Sequence, residues 1–346
     1  MKYLRTAFLG IALLFSFYVS GQDIHFSQFN TSPLNLNPAL TGAINGKARV
    51  IANYRNQWPQ ILQDDSYRTY ALSYDRRQNL KSGDYFGVGA SFFGDVGGST
   101  RFGTIQVNLS LSFAKTISKS GSVSHTIIGG LQSGIAQRKI DVNTLRWPSS
   151  VDNDGIAVYY NPFGSLDQTD FLYYSIDAGL LWVSKFGERK SFLAGVSAFH
   201  VNEPNVSFQI NSDQPLSIRT SIHAGAELPL SSRLTLLPSI MYLTQGIHAQ
   251  LNIGTMLSTS ILADSLFSNF QGGIYYRAGR DLAGRIHSDA IITVLSAQVQ
   301  GIQLSFSYDF TISDLNYDNV GGMEVSVGYV FGANNKKVKP FEVPQF

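Results

Sequence analysis

The 346-residue chain contains no cysteine. That excludes a disulfide framework, thiolate metal sites and the acylated cysteine of a lipoprotein. Charge is scarce as well. Asp, Glu, Lys and Arg make up 14% of the residues, against about 25% in ordinary soluble domains. A surface turned wholly to water needs more. Beyond residue 21 the sequence holds no run of about 18 apolar residues, which excludes membrane helices there. The histidines, His25, His125, His200, His223, His248 and His287, are scattered without the H-x-x-x-H spacing of a metal site. His223 and Glu227 share one strand face but stand four residues apart, too far for a catalytic dyad. No catalytic residue, cofactor or metal site is expected. Gly87-Val88-Gly89 and Gly129-Gly130 open no helix, so they are not phosphate loops.

The first residues, MKYLRTAFLGIALLFSFYVSG, have the form of a secretory signal peptide. Lys2 and Arg5 precede an apolar core from Ala7 to Val19, and cleavage after residue 21 would leave Gln22 first. The alternative, an uncleaved anchor, has an apolar core short for a span. Without Lys2 and Arg5, 24 basic residues face 24 acidic ones. A neutral chain argues against nucleic acid as a partner. Lys336, Lys337 and Lys339 form the one basic cluster, in the tail.

What the sequence has in quantity is period-two alternation. From Thr104 to Ala114 the apolar residues are Ile105, Val107, Leu109, Leu111 and Phe113; from Gln303 to Ile312 they are Leu304, Phe306, Tyr308, Phe310 and Ile312. About fourteen such segments are predicted, near 47–58, 67–77, 85–95, 103–117, 125–140, 173–185, 191–201, 218–229, 234–245, 247–261, 269–279, 290–299, 302–312 and 322–331. Alternation blurs in 191–201 and 234–245, and Pro238 interrupts the latter. A soluble sandwich also alternates. Here the segments have bilayer-crossing length, and the polar face is small and uncharged rather than rich in Lys and Glu. The fold class expected is all-β, a transmembrane antiparallel outer-membrane barrel of about fourteen strands. Its parts are a signal peptide (1–21), an irregular plug or strap (22–46), the barrel (47–331) and a tail (332–346).

Short turns at 81–84, 118–122, 186–189, 229–233 and 300–301 alternate with longer connections at 141–172, 202–217, 280–289 and 313–321. Barrels of this kind keep short turns in the periplasm, so both termini are expected there. Trp147, Tyr159, Tyr160 and Phe163 make the longest loop too aromatic for a mere connector. Parity puts Arg49 and Arg55 on the lumen face with Asn53 and Gln57. Asp75, Glu227, Asp309 and Glu324 also fall on polar faces, where charges pair with one another or hold a plug.

One stretch fits no strand: HFSQFNTSPLNLNPALTG, from His25 to Gly42. Pro33 and Pro38 bias Ser32 and Asn37 to extended backbone. His25, Phe26, Gln28, Phe29, Leu36, Asn37 and Gly42 make it too specific for a disordered leader. It is expected in the periplasmic half of the lumen or across its mouth, anchored by His25, Phe26 and Phe29.

This stretch, with NYRNQWP at Asn53–Pro59 and with Thr69-Tyr70 and Ser73-Tyr74-Asp75, resembles the PorP/SprF family. The matching elements are His25–Phe29, Pro33-Leu34, Leu36–Ala39, Thr41-Gly42 and Tyr54–Trp58. Pro344-Gln345-Phe346 resembles a common family ending, with Val343 where Cys often stands. The resemblance implies an outer-membrane accessory of the type IX secretion system of Bacteroidetes, associated with gliding motility. It implies a secreted adhesin or its type B C-terminal signal domain as partner, other secretion components on the periplasmic side, and no catalysis. The alternative is a passive channel or apolar-solute transporter of fourteen strands.

Overall fold

The computed structural model describes residues 23–80, 83–142, 148–151, 157–159, 166–187, 189–260, 267–280, 284–299, 301–313 and 321–332. The expected signal peptide, the tail beyond Gly332, and Trp147, Tyr160 and Phe163 lie outside these residues.

The strands are β1 (Ala48–Gln57), β2 (Tyr67–Asn79), β3 (Tyr85–Gly97), β4 (Phe102–Ser120), β5 (Val123–Lys139), β6 (Pro148–Val151), β7 (Ala157–Tyr159), β8 (Asp170–Phe186), β9 (Lys190–Phe199), β10 (Arg219–Pro229), β11 (Leu234–Gln245), β12 (His248–Ser260), β13 (Phe267–Arg280), β14 (Ile286–Val299), β15 (Ile302–Thr311) and β16 (Gly321–Phe331). All but β6 and β7 join in chain order into a closed antiparallel barrel of 14 strands. β1 closes on β16 in unbroken register from Ala48 opposite Phe331 to Gln57 opposite Gly322. β6 and β7, which ends at Tyr159, form a separate small hairpin.

Closure leaves no unpaired edge, the condition for crossing lipid with strands. The alternation then divides the side chains. Leu109, Leu131, Leu172 and Leu295 point outward and are 69%, 64%, 70% and 66% exposed. An apolar belt this extensive on a folded surface belongs in hydrocarbon. Aromatics flank it: Phe86, Phe113, Trp182 and Phe186 towards one end, Tyr54, Tyr67, Tyr70 and Phe310 towards the other. Among the described residues no helix is long and apolar enough to span a membrane.

Pro238 sits inside β11. The ladder to β12 runs through it, opposite Thr255. The ladder to β10 has no pair between Gly225 opposite Ser239 and Leu228 opposite Leu236. Proline lacks the N–H for that side, so the strand tolerates it by giving up pairing locally.

One barrel end carries short turns, such as β4–β5 and β14–β15. The other carries the 140–169 and 200–218 connections and is called the long-loop end below. The loop from 200 to 218 folds inward there. Its Leu216 and Val206 pack with Ala136, Phe171 and Tyr173, and Phe208 meets Phe171 edge-on.

Candidate functional site: the chain inside its own barrel

Residues 23–46 lie inside the barrel and run its full height. Asp23 is at the long-loop end, where its carboxylate meets His200 Nε2 at 2.6 Å and Arg219 at 3.7 Å. Gly332 follows β16 at the opposite end. The sequence led us to expect the segment in the half near the short turns or across that mouth. It enters that half only after about Pro33, because its charged and amide contacts hold residues 23–31 against the long-loop ends of β1, β10, β15 and β16. Nor is the segment irregular throughout. Phe29–Thr31 and Pro38–Leu40 are 3-10 turns, and Pro33–Leu36 is one α-helical turn. Asn37 is extended as proline demands, but Ser32 has φ −129° and ψ 61°, which starts the next turn.

The first part is held by charge and by its main chain. Arg219 donates to the Ile24 carbonyl at 3.0 Å and Arg55 to the His25 carbonyl at 2.7 Å. Glu324 accepts from the backbone N–H groups of Ser27 (2.5 Å) and Gln28 (2.9 Å). Asp309 accepts from the Ser27 hydroxyl at 2.6 Å and from Arg277 at 2.7 Å. Arg277 also pairs with Asp289, beside a register shift in the β13–β14 ladder. Gln28 donates to Ser307. Phe26 packs with Ile24, Ala71 and Phe93, and Phe29 meets the Tyr275 ring edge-on at 6.0 Å. Burial alone would raise the Asp23 carboxyl, but His200, Arg219 and Arg138 hold it well below the usual carboxylate range. Burial, and then Arg55 and Arg277, push the His25 imidazole well below its ordinary value.

The later part is held by shape. The Asn37 amide nitrogen faces the Leu180 and Val196 carbonyls at 3.2 Å and His223 Nε2 at 3.1 Å, while its oxygen accepts from the Ala39 N–H at 2.8 Å. Ser197 donates to the Leu36 carbonyl at 2.7 Å. Pro38 and Ala39 rest on Gly130, where a Cβ would come 2.3 Å from the Ala39 nitrogen. Asn37 rests likewise on Gly179 and Thr41 on Gly87, with Cβ clearances of 1.9 and 2.2 Å. Gly42 has φ +69° and itself touches Gly87. Asp75 then accepts from the Gly42 N–H and pairs with Arg49, which also donates to the Leu40 carbonyl.

Of the residues singled out from sequence, Arg49 with Asp75, and Arg55 with Asp309 and Glu324, meet around the segment. Glu227 lies apart and accepts from Ser191. Reading missed Asp23, His200, Arg219 and Arg277. Arg219 and Arg277 carry the inward parity of Ser221 and Tyr275, which would have marked them. His200 and Asp23 lie outside strands and left no periodic signal. Ser175, His200 and Asp23 line up as hydroxyl, imidazole and carboxylate. The Ser175 hydroxyl also donates to Asp177 at 2.5 Å and is fully buried. This line therefore reads as a latch on the segment rather than an exposed nucleophile. Among the described residues no group of three or more metal-binding side chains forms.

Several solved structures align with the chain. CdiB from Escherichia coli aligns at 12% identity and a TM-score of 0.45, covering 81% of this chain and 63% of that one. CdiB from Acinetobacter baumannii aligns at 9% and 0.41, covering 82% and 60%. The CymD monoaromatic hydrocarbon channel aligns at 11% and 0.45, covering 91% and 96%. The chain thus spans less than two thirds of the CdiB chains. Overlaps of this degree are silent on activity. No curated protein matches the sequence. The family model of the type IX secretion system membrane protein PorP/SprF, by contrast, matches residues 19–329. The chain belongs to that family.

Proposed function

We propose that this outer-membrane barrel is an accessory of type IX secretion that binds a large secreted adhesin, or its type B C-terminal signal domain, at the cell surface and supports its secretion. In this reading the long-loop end faces outward. Loop 141–172, with Trp147, Tyr159, Tyr160 and Phe163, and loops 202–217 and 280–289 make the contact. The short-turn end and the tail from 332 to 346 face the periplasm and the other secretion components. Residues 1–21 are removed on export, and lipids cover the apolar belt.

The observation that carries the proposal is the filled lumen. A barrel threaded by its own chain suits a binding scaffold better than a passive channel. Two measurements test it. The purified protein in a planar bilayer should give no stable open pore; a steady conductance would favour the channel reading. A tagged barrel should retain a secreted protein bearing such a signal domain, and deletion of loop 141–172 should abolish retention. Undiminished retention by the deletion variant would sink the assignment of that loop.

A further inference from the structure

We propose that the long-loop half of the lumen is a binding site for a polypeptide segment with an acidic leading residue, and that residues 23–31 are its resident, displaceable occupant. The recognition there is mostly of main chain. Wall side chains take the carbonyls of Ile24, His25 and Thr31 and the N–H groups of Asp23, Ser27 and Gln28. Any polypeptide offers these groups. The acidic requirement comes from His200 and Arg219, which converge on the Asp23 carboxylate.

Displaceability follows from the kind of contact in this half, polar and charged groups that another chain can replace one for one. Gln28 Oε1, Asn53 Oδ1, Arg55 Nε and Asp309 Oδ1 are buried without a hydrogen bond to any described residue, as are lumen atoms away from this stretch such as Gln132 Oε1 and Ser221 Oγ. A cavity of about 20 Å³ lies between Ser27, Gln28, Asn30 and Thr31 and the wall at Met256 and Tyr275. That is room for a water-sized group. Asp23 stands at the long-loop end, so its ion pair with His200 is the first contact a competing chain must replace. This site lies in the lumen, apart from the surface loops invoked above, and the two are tested separately.

The test uses a full-length barrel lacking only residues 23–31 and a fluorescent peptide of that sequence, DIHFSQFNT. The deletion variant should bind the peptide saturably, while the intact chain does not. Asp23→Asn in the peptide, or Arg219→Ala in the barrel, should weaken binding about thirtyfold or more. A deletion variant that keeps heat-modifiable barrel mobility yet takes up no peptide overturns the proposal. So does equal uptake of a scrambled peptide. If the deletion variant does not fold, hydrogen exchange on the intact protein decides. Amides of 23–31 should exchange about tenfold faster or more than those of 34–44, and equal protection of the two stretches overturns the proposal.

Discussion

Around Gln28 the barrel wall offers charge: Glu324 and Asp309 with Arg55 and Arg277 behind them. Around Ala39 it offers a floor without side chains, at Gly130 and Gly179. Both surfaces hold the same strand of chain in the same lumen. Charge tolerates small displacements and exchange of partners, because its energy falls slowly with distance. Close packing does not, because a single added carbon meets backbone. The segment is therefore anchored by fit in one half and by matching charge in the other.

Four changes probe that contrast. Arg277→Ala should be the most damaging, since it leaves Asp289 and Asp309 without their shared cation. Breaking a buried pair costs about 3–5 kcal/mol, to be read from urea unfolding of the refolded barrel in vesicles. Gly130→Leu should come next. Its side chain meets the Pro38–Ala39 backbone, an overpacking worth about 1–3 kcal/mol. It should expose residues 33–46 to limited proteolysis while leaving the strands intact. Asn37→Ala strips partners from His223 and the Ala39 N–H, for about 1–3 kcal/mol, measured the same way. If these last two variants loosen residues 23–31 as much as 33–46, the halves are not independent.

The smallest effect is a pH response confined to the first half. The seated His25 stays neutral, disfavoured as a cation by burial, Arg55 and Arg277, with Asp309 and the Asp23 backbone opposing them. Released, it takes a proton near its ordinary value of 6.5. Seating is thus fully favoured above that value and weakens as the pH falls below it, by less than about tenfold per pH unit. Asp23 acts lower. Its depressed carboxyl contributes fully above the ordinary value of 3.8 and loses that contribution only as the pH falls through its folded value. Protection of residues 23–31, taken as hydrogen exchange relative to the intrinsic rate at each pH, should fall from pH 7 to pH 5 in the intact chain and not in His25→Gln.

The barrel was legible in the sequence because lipid on one side and lumen on the other write a two-residue period into each strand. Strand ends were read within a few residues: 85–95 for Tyr85–Gly97, 234–245 for Leu234–Gln245. The path of the segment was not legible. Its turns are three or four residues long, too short to set a period. Its partners are set by closure rather than by neighbourhood: Ser27 and Asp309 are 282 positions apart. Parity can say that a side chain faces inward, but not which of thirteen other strands it will meet there.

The seam between β1 and β16 has a consequence for assembly. Glu324 on β16 grips Ser27 across 297 positions, while Arg55 and Asn53 on β1 grip His25 and Thr31. The two strands that must find each other last both touch the earliest described stretch of chain. That stretch therefore braces the seam from inside, so losing it removes contacts from both closing strands at once.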